Sequence, residues 1–289
     1  MSDLFTLLGD PVTDPEEESF VVFSHDVPSQ QSLGFIDSQA AEIEISIGGR
    51  DLTIRQSRGL LTSDRKEGTT GAVVWKVTPL FAEWIASPNF LSKHGFLGSD
   101  NVAIELGAGV SGLVALTLGP KIKKYIATDQ DYVIRLLKRN IAENLPTINT
   151  RKPKPKKKTS HSISESVCGI ETLELDWELN SVSSLPSQLG LSGEGAGFDL
   201  VIACDCIYNE SLIEPLNSTC AQICKLRSLD GKDRPTLCLV AQQLRSHEVF
   251  EAWLKSFNSL FKVWQVPDAL LTAPLRVNSG FIVHIGVVR

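Results

Sequence analysis

The sequence predicts an α/β fold: a doubly wound seven-strand sheet, mostly parallel with an antiparallel last strand, and an N-terminal β-hairpin extension ahead of it. Three observations lead there. From about residue 72 onward, short apolar runs alternate with amphipathic helical stretches. The apolar runs are nearly continuous, as strands covered by helices on both faces require. The last two runs are joined by a loop with Pro267 and Pro274 but no helical period. Without a crossover helix the final strand runs antiparallel.

Residues 1–38 are acidic, carry Pro11, Pro15 and Pro28 and show no sustained period, which predicts a loosely ordered or lightly docked lead-in without chemistry. Ile43, Ile45 and Ile47 alternate, Gly48-Gly49 follows, and Leu52 and Ile54 alternate again, the pattern of a hairpin. Val73, Val77, Leu80, Phe81, Trp84 and Ile85 then fall on one face of a helix. Strands are read at Val102 to Leu106, Tyr125 to Thr128, Leu173 to Asp176, Leu200 to Cys204, Leu237 to Ala241, Phe261 to Val266 and Phe281 to Val288. Between them lie Leu113 to Leu118, the stripe Ile134, Leu137, Ile141 and Leu145, and helical stretches near 211–226 and 247–260. The chain thus divides into an extension, residues 1–67, and one α/β domain, residues 68–289, with a low-complexity insertion at about 150–167.

Composition narrows the class. Of 289 residues, 42% are hydrophobic and 21% charged, which fits a globular protein and neither a disordered nor a collagen-like chain. No apolar run approaches the roughly 18 residues of a spanning helix. The first twenty residues hold six acids and no Lys or Arg, the reverse of a secretory or mitochondrial leader, so the expected location is the cytoplasm, or the nucleus. The six cysteines are read as reduced thiols. Cys204 with Cys206 and Cys220 with Cys224 suggest a metal site only weakly, since no C-x-x-C pair occurs, and no metal is expected.

The run Arg151 to Lys158, with six basic residues and two prolines, interrupts the alternation and continues into a serine-rich stretch. Like charges and proline oppose compaction, so it reads first as a solvated, disordered insertion. Against a net charge of −6 it is also the chain's main attraction for phosphate, a candidate contact with RNA or the ribosome.

The strongest chemical signal is a glycine turn. The run Asn101 to Leu106 leads into Gly107-Ala108-Gly109-Val110-Ser111-Gly112 and then a helix. At such a turn glycines let backbone approach a ligand. Asp129 follows the next strand, 22 positions after Gly107, where a carboxylate accepts hydrogen bonds from ribose hydroxyls. Both features suit a nicotinamide dinucleotide as well as a nucleoside sulfonium. Glu105 separates the two: a carboxylate at the mouth of the site suits the ammonium and sulfonium of S-adenosylmethionine and repels a pyrophosphate. Packing alternatives stand beside these roles. Glu105 and Asp129 could serve as strand-end or helix-cap acids, and Trp75 and Trp177 as core aromatics.

Glu105-Leu-Gly-Ala-Gly109, Ala127-Thr-Asp129, Leu175-Asp-Trp177 and Phe198 to Tyr208, in this order and spacing, together resemble the seven-strand, Rossmann-like protein-lysine methyltransferases. The hallmark of that family is a [DE]-x-x-[YF] tetrad, here Asp205-Cys206-Ile207-Tyr208. Thr70 to Trp75 and the G-A-G-x-S-G turn look most like the fungal ribosomal lysine methyltransferase branch. The resemblance implies S-adenosylmethionine as cofactor and a protein substrate, a ribosomal protein in that branch. It implies that Trp75, Gly107, Ala108 and Gly109 hold the cofactor's methionine end, Asp129 its ribose, and Asp176 and Trp177 its adenine. Cys204 would line the floor beside Asp205, and Asp205 and Tyr208 would hold the acceptor amine. The alternatives are a nicotinamide oxidoreductase, whose fingerprint usually opens a domain rather than following a hundred residues, and a non-catalytic RNA- or ribosome-binding module. The basic run lacks the interleaved aromatics of the latter.

Overall fold

A computed structural model describes residues 2–24, 34–61, 70–148, 169–192, 196–227 and 234–289. The run Arg151 to Lys158 lies outside the described residues. Seven strands form one sheet: β3 (Val102–Leu106), β4 (Lys124–Asp129), β5 (Ile170–Glu174), β6 (Leu200–Cys204), β7 (Leu237–Gln243), β8 (Phe261–Gln265) and β9 (Phe281–Val288), in the order β5-β4-β3-β6-β7-β9-β8. The pairs from β5 through β7 are parallel, and β9 runs antiparallel between β7 and β8. The expected architecture is therefore the observed one. Every residue of β3, β6 and β7 is buried, which is why these strands read as unbroken apolar runs.

The two cores lie on opposite faces of this sheet, and successive strand residues point to alternate ones. Leu200, Ile202 and Cys204 enter the first core, and Val201 and Ala203 the second. Against the first face pack α3 (Val77–Ala86), α4 (Leu113–Leu118) and α5 (Asp131–Ile148); against the second, α6 (Ile213–Cys224) and α7 (His247–Leu260). The helical stripe read from Val73 begins only at Val77, with Pro79 in the first turn, where its missing N–H costs no helical bond. Trp75 is left outside the helix as a result. Asp176 and Trp177 likewise fall beyond β5, which occupies Ile170–Glu174 rather than 173–176.

The N-terminal residues, read without period, hold two helices, α1 (Ser2–Leu8) and α2 (Pro15–Ser24). Phe5 of α1 stacks on Trp264, with ring centroids 4.5 Å apart, and Phe23 of α2 packs on Phe250 of α7. The hairpin follows as β1 (Glu42–Ile47) and β2 (Arg50–Arg55), with Ile47 paired to Arg50. Its two-residue turn has φ of 59° at Gly48 and 74° at Gly49, the left-handed pair that a tight hairpin demands and that glycine adopts without steric cost.

Side-chain amides tie this extension to the domain. Asn140 of α5 accepts from the Arg55 amide at 3.0 Å and donates to the carbonyls of Arg55 and Val110 at 2.9 and 2.7 Å. One turn on, Asn144 does the same for both backbone groups of Thr53, at 3.0 and 2.9 Å. Two asparagines thus replace a neighbouring strand along the open edge of β2. Gln56 accepts from the Val74 amide and donates to the carbonyls of Asp37 and Ala40. Among the described residues, no helix is long and apolar enough to cross a membrane.

Candidate active site

The strand order reverses between β3 and β6, since β3 is followed in sequence by strands on one side and β6 by strands on the other. At such a switch point, crossover connections leave in opposite directions and a crevice opens outside the carboxyl ends of the strands. A crevice of about 470 Å³ lies there. Trp75, Glu105, Gly107, Ala108, Gly109, Asp129, Asp176, Trp177, Cys204, Asp205 and Tyr208 all line it. Folding thus brings together every site residue singled out from sequence, contributed by the ends of β3, β4, β5 and β6 and by the segment before α3.

Gly107 and Gly109 have φ of 67° and 62°. At Gly107 a Cβ would lie 2.7 Å from Cys206 Sγ and 3.2 Å from the Trp177 ring, so the strand can turn sharply here only without a side chain. The Gly109 amide donates to Asp129 Oδ2 and the Gln130 amide to Asp129 Oδ1, both at 2.8 Å. Each carboxylate oxygen keeps acceptor capacity for a ligand hydroxyl. Burial pushes the Asp129 carboxyl up to about 6, although these two amide bonds pull it down. Gln130, not singled out from sequence, donates onward to Asp176 Oδ2 at 3.1 Å, and Asp176 Oδ1 accepts from the amides of Glu178 and Leu179.

Glu105 was expected at the mouth and is found on the floor. Its backbone is held in the middle of the sheet, paired with both Ala127 and Ile202, so its side chain enters the first core, where Tyr125 Oη donates to Oε2 at 2.7 Å. Burial raises its carboxyl to about 7, against the lowering effect of the Tyr125 bond and with a further push from Asp129. Beside it, Cys204 is buried, and its thiol is pushed well up by burial and by the charges of Glu105 and Asp205.

Asp205 differs most from its expected role. It is the single non-glycine residue of positive φ among the described ones, at 58°, a conformation that costs on the order of 1 kcal/mol and that aspartate tolerates better than most. Its carboxylate does not open into the crevice: the side chain is fully buried. Arg245 grips it from both guanidinium nitrogens, Nη1 to Oδ1 at 2.8 Å and Nη2 to Oδ2 at 2.6 Å, and the Gln243 amide donates to Oδ1 at 3.2 Å. The reason is the left-handed turn, which swings the side chain back toward the end of β7. Arg245 lies in turn over the Trp75 ring, 4.8 Å from its centroid, and Phe35 packs on the same indole at 4.5 Å. Trp75 Nε1 donates to the Thr70 carbonyl at 3.1 Å, and the Tyr208 hydroxyl bonds the Thr70 side chain, which partly offsets the upward push of burial on Tyr208. The signal for Arg245 lies in the sequence, where the apolar strand Leu237 to Ala241 ends in Gln-Gln-Leu-Arg, polar residues at the carboxyl end of a strand.

The charge of the crevice separates the ligands. Glu105, Asp129, Asp176 and Glu178 line it, the Asp205 carboxylate being turned away onto Arg245, and among the described lining residues there is no Lys, Arg or His. A pyrophosphate would meet carboxylates with no cation among them, whereas an ammonium, a sulfonium and a ribose diol meet acceptors. This set of acceptors fits S-adenosylmethionine and not a dinucleotide.

A family model described as lysine methyltransferase matches residues 54–257. The chain belongs to the lysine methyltransferase family. Its methyl donor is accordingly S-adenosylmethionine. Among its relatives, a protein of Vanderwaltozyma polyspora named ribosomal lysine N-methyltransferase 5 is 30% identical, over 94% of this chain and 97% of its own length. The protein of that name from Zygosaccharomyces rouxii is 32% identical over 71% of this chain and 70% of its own. A Schizosaccharomyces pombe protein named diaminohydroxyphosphoribosylamino-pyrimidine deaminase is 27% identical over 87% of this chain, which spans 53% of that protein.

Proposed function

We propose that this lysine methyltransferase modifies a ribosomal protein, with the crevice at the β3/β6 switch point as its active site. The observation that carries the site is the cation-free, carboxylate-lined crevice formed by all the residues named above. The substrate class rests on relatives named as ribosomal lysine methyltransferases, one of which aligns with 94% of this chain.

In the bound state the cofactor supplies an electrophilic methyl group on a sulfonium. The protein's part is to bind, orient and exclude water. Gly107 to Gly109 and Trp75 receive the methionine end, Asp129 the ribose hydroxyls, and Asp176 with Trp177 the adenine. Tyr208 walls the channel by which the acceptor side chain reaches the methyl group. Transfer needs a neutral amine, yet a free lysine with a pKa of about 10.4 is deprotonated only about once in a few thousand molecules at pH 7. A desolvated channel next to a positive sulfonium lowers that pKa and holds the nitrogen in line, so position and electrostatics supply the rate.

Arg151 to Lys158 provides the contact with ribosomal RNA in this reading. Deleting it should weaken a salt-dependent affinity for ribosomes and leave S-adenosylhomocysteine binding unchanged. The function itself is tested by incubating the protein with labelled S-adenosylmethionine and a ribosomal protein fraction, and locating the label by mass spectrometry. Label on a lysine of a ribosomal protein is expected; label confined to other proteins or to RNA would overturn the proposal.

A further inference from the structure

Arg245 lies outside the crevice lining, yet it bonds one wall residue and stacks on another. Its guanidinium holds both oxygens of Asp205 at 2.8 and 2.6 Å and covers the Trp75 indole at 4.8 Å. The fork is braced by Gln243, whose Oε1 accepts from Arg245 Nη2 at 3.0 Å. It is also backed by the N-terminal segment: at Gly34, whose φ is 96°, a Cβ would lie 2.5 Å from Arg245 Nη2 and would collide with Gln243 Oε1. Gly34 itself is fixed by the Lys76 amide, which donates to its carbonyl at 2.9 Å.

We propose that Arg245 is a positioning residue for the transfer: it clamps Asp205 and cancels its charge beside the crevice, so that the acceptor lysine is received as a neutral amine. A buried carboxylate without a partner would favour a protonated lysine in the channel, or would take up a proton itself. Either outcome delays transfer to higher pH. A bidentate guanidinium removes both and fixes the left-handed turn from which Tyr208 projects. This inference rests on the lysine-transfer reading given above.

The other titratable groups lining the crevice belong to several elements: Glu105 on β3, Asp129 at the end of β4, Tyr132 on α5, Asp176 and Glu178 after β5, and Cys204, Cys206 and Tyr208 on and after β6. Glu105 and Asp129 titrate at about 7 and about 6. The acceptor limb is therefore read above about pH 8, where both are ionised.

The test is the pH profile of single-turnover methyl transfer, with S-adenosylhomocysteine affinity measured on the same preparations. In Arg245→Met the profile should move alkaline by about one unit or more, with transfer at pH 8 down about tenfold and recovery at higher pH. Arg245→Lys keeps the charge and loses the fork, so its rate should fall without the shift. The double variant Arg245→Met, Asp205→Asn should lose the shift altogether. Should Arg245→Met fail to fold, Gly34→Ala displaces the guanidinium from the opposite side and should give a shift of the same sign. Profiles parallel to wild type at every pH, lowered in step with cofactor affinity, would overturn the proposal and leave the lysine-transfer reading standing. No transfer by the wild-type protein would overturn both.

Discussion

At the floor of the crevice, Glu105, Asp129 and Cys204 are placed by strands whose backbone bonds run to neighbouring strands. At the N-terminal rim, a short backbone bridge joins Phe35 to Trp75, and this segment and the hairpin are otherwise placed by the side chains of Gln56, Asn140, Asn144 and Arg245. The first arrangement is redundant, because each strand is paired on both sides and buried on both faces. The second hangs largely on single polar groups, and removing Gln56, Asn140 or Asn144 leaves backbone groups of this segment unpaired. The floor should therefore tolerate substitution without loss of fold, and the rim should not.

The largest effect on stability is expected at Asn140, which is fully buried and bonds Arg55 twice and Val110 once. Asn140→Ala should lower the unfolding free energy by about 2–4 kcal/mol. It should also loosen the glycine turn through Val110. Chemical denaturation checks it, and a loss under about 0.5 kcal/mol would mean that the rim does not depend on these ties. Asp129→Ala sharpens the other side of the comparison. It should weaken S-adenosylhomocysteine binding by about 1.5–3 kcal/mol through loss of charge-assisted bonds to the ribose, while denaturation shows the fold retained. Unchanged affinity by calorimetry would remove Asp129 from the ribose site.

A smaller, graded effect comes from pH. Folding raises the carboxyls of Glu105 and Asp129 to about 7 and about 6, chiefly by burial. Between these values and the ordinary carboxylate range of about 4, the folded chain binds protons that the unfolded chain does not. The unliganded protein therefore gains stability from these two groups as pH falls through that window, and loses it as pH rises through about 7. Cofactor binding runs the opposite way, since a protonated Asp129 accepts fewer hydrogen bonds; affinity should decline below about pH 6. Glu105→Gln should flatten the first dependence, read as the pH profile of the melting temperature. An unchanged profile in that variant would contradict the burial argument.

The difference between floor and rim is also the difference between what could and could not be read from the chain. Strand alternation, the glycine turn and Asp129 at its offset depend on local pattern; Trp75, Asp176, Trp177, Cys204, Asp205 and Tyr208 came from the family resemblance, and the structure places all of them along the same crevice. Asn140 and Asn144 sit between the apolar positions Leu137, Ile141 and Leu145 and look like an exposed helix face. Their partners are some 90 positions away in sequence, which no local period records. Arg245 is marked locally by the polar end of its strand, but the carboxylate it clamps lies 40 positions away. The helices α1 and α2 escaped because their stability comes from contacts such as Phe5 on Trp264 and Phe23 on Phe250 rather than from an amphipathic stripe. Glu105 lines the crevice at a greater depth than expected, since its distance from the glycine turn does not reveal that Tyr125 would reach it inside the core.

The central claim is that Tyr208, and Asp205 through the turn from which Tyr208 projects, govern the acceptor and not the cofactor. Its most direct test is a set of three quantities on the same preparations of wild type, Asp205→Asn and Tyr208→Ala: melting temperature, S-adenosylhomocysteine affinity, and methyl transfer to a ribosomal protein lysine. The account predicts transfer reduced at least about tenfold in both variants, equivalent to 1.4 kcal/mol of barrier, with affinity changed far less and the fold retained. Near-normal transfer in both variants, or a loss that merely follows cofactor affinity, would contradict it.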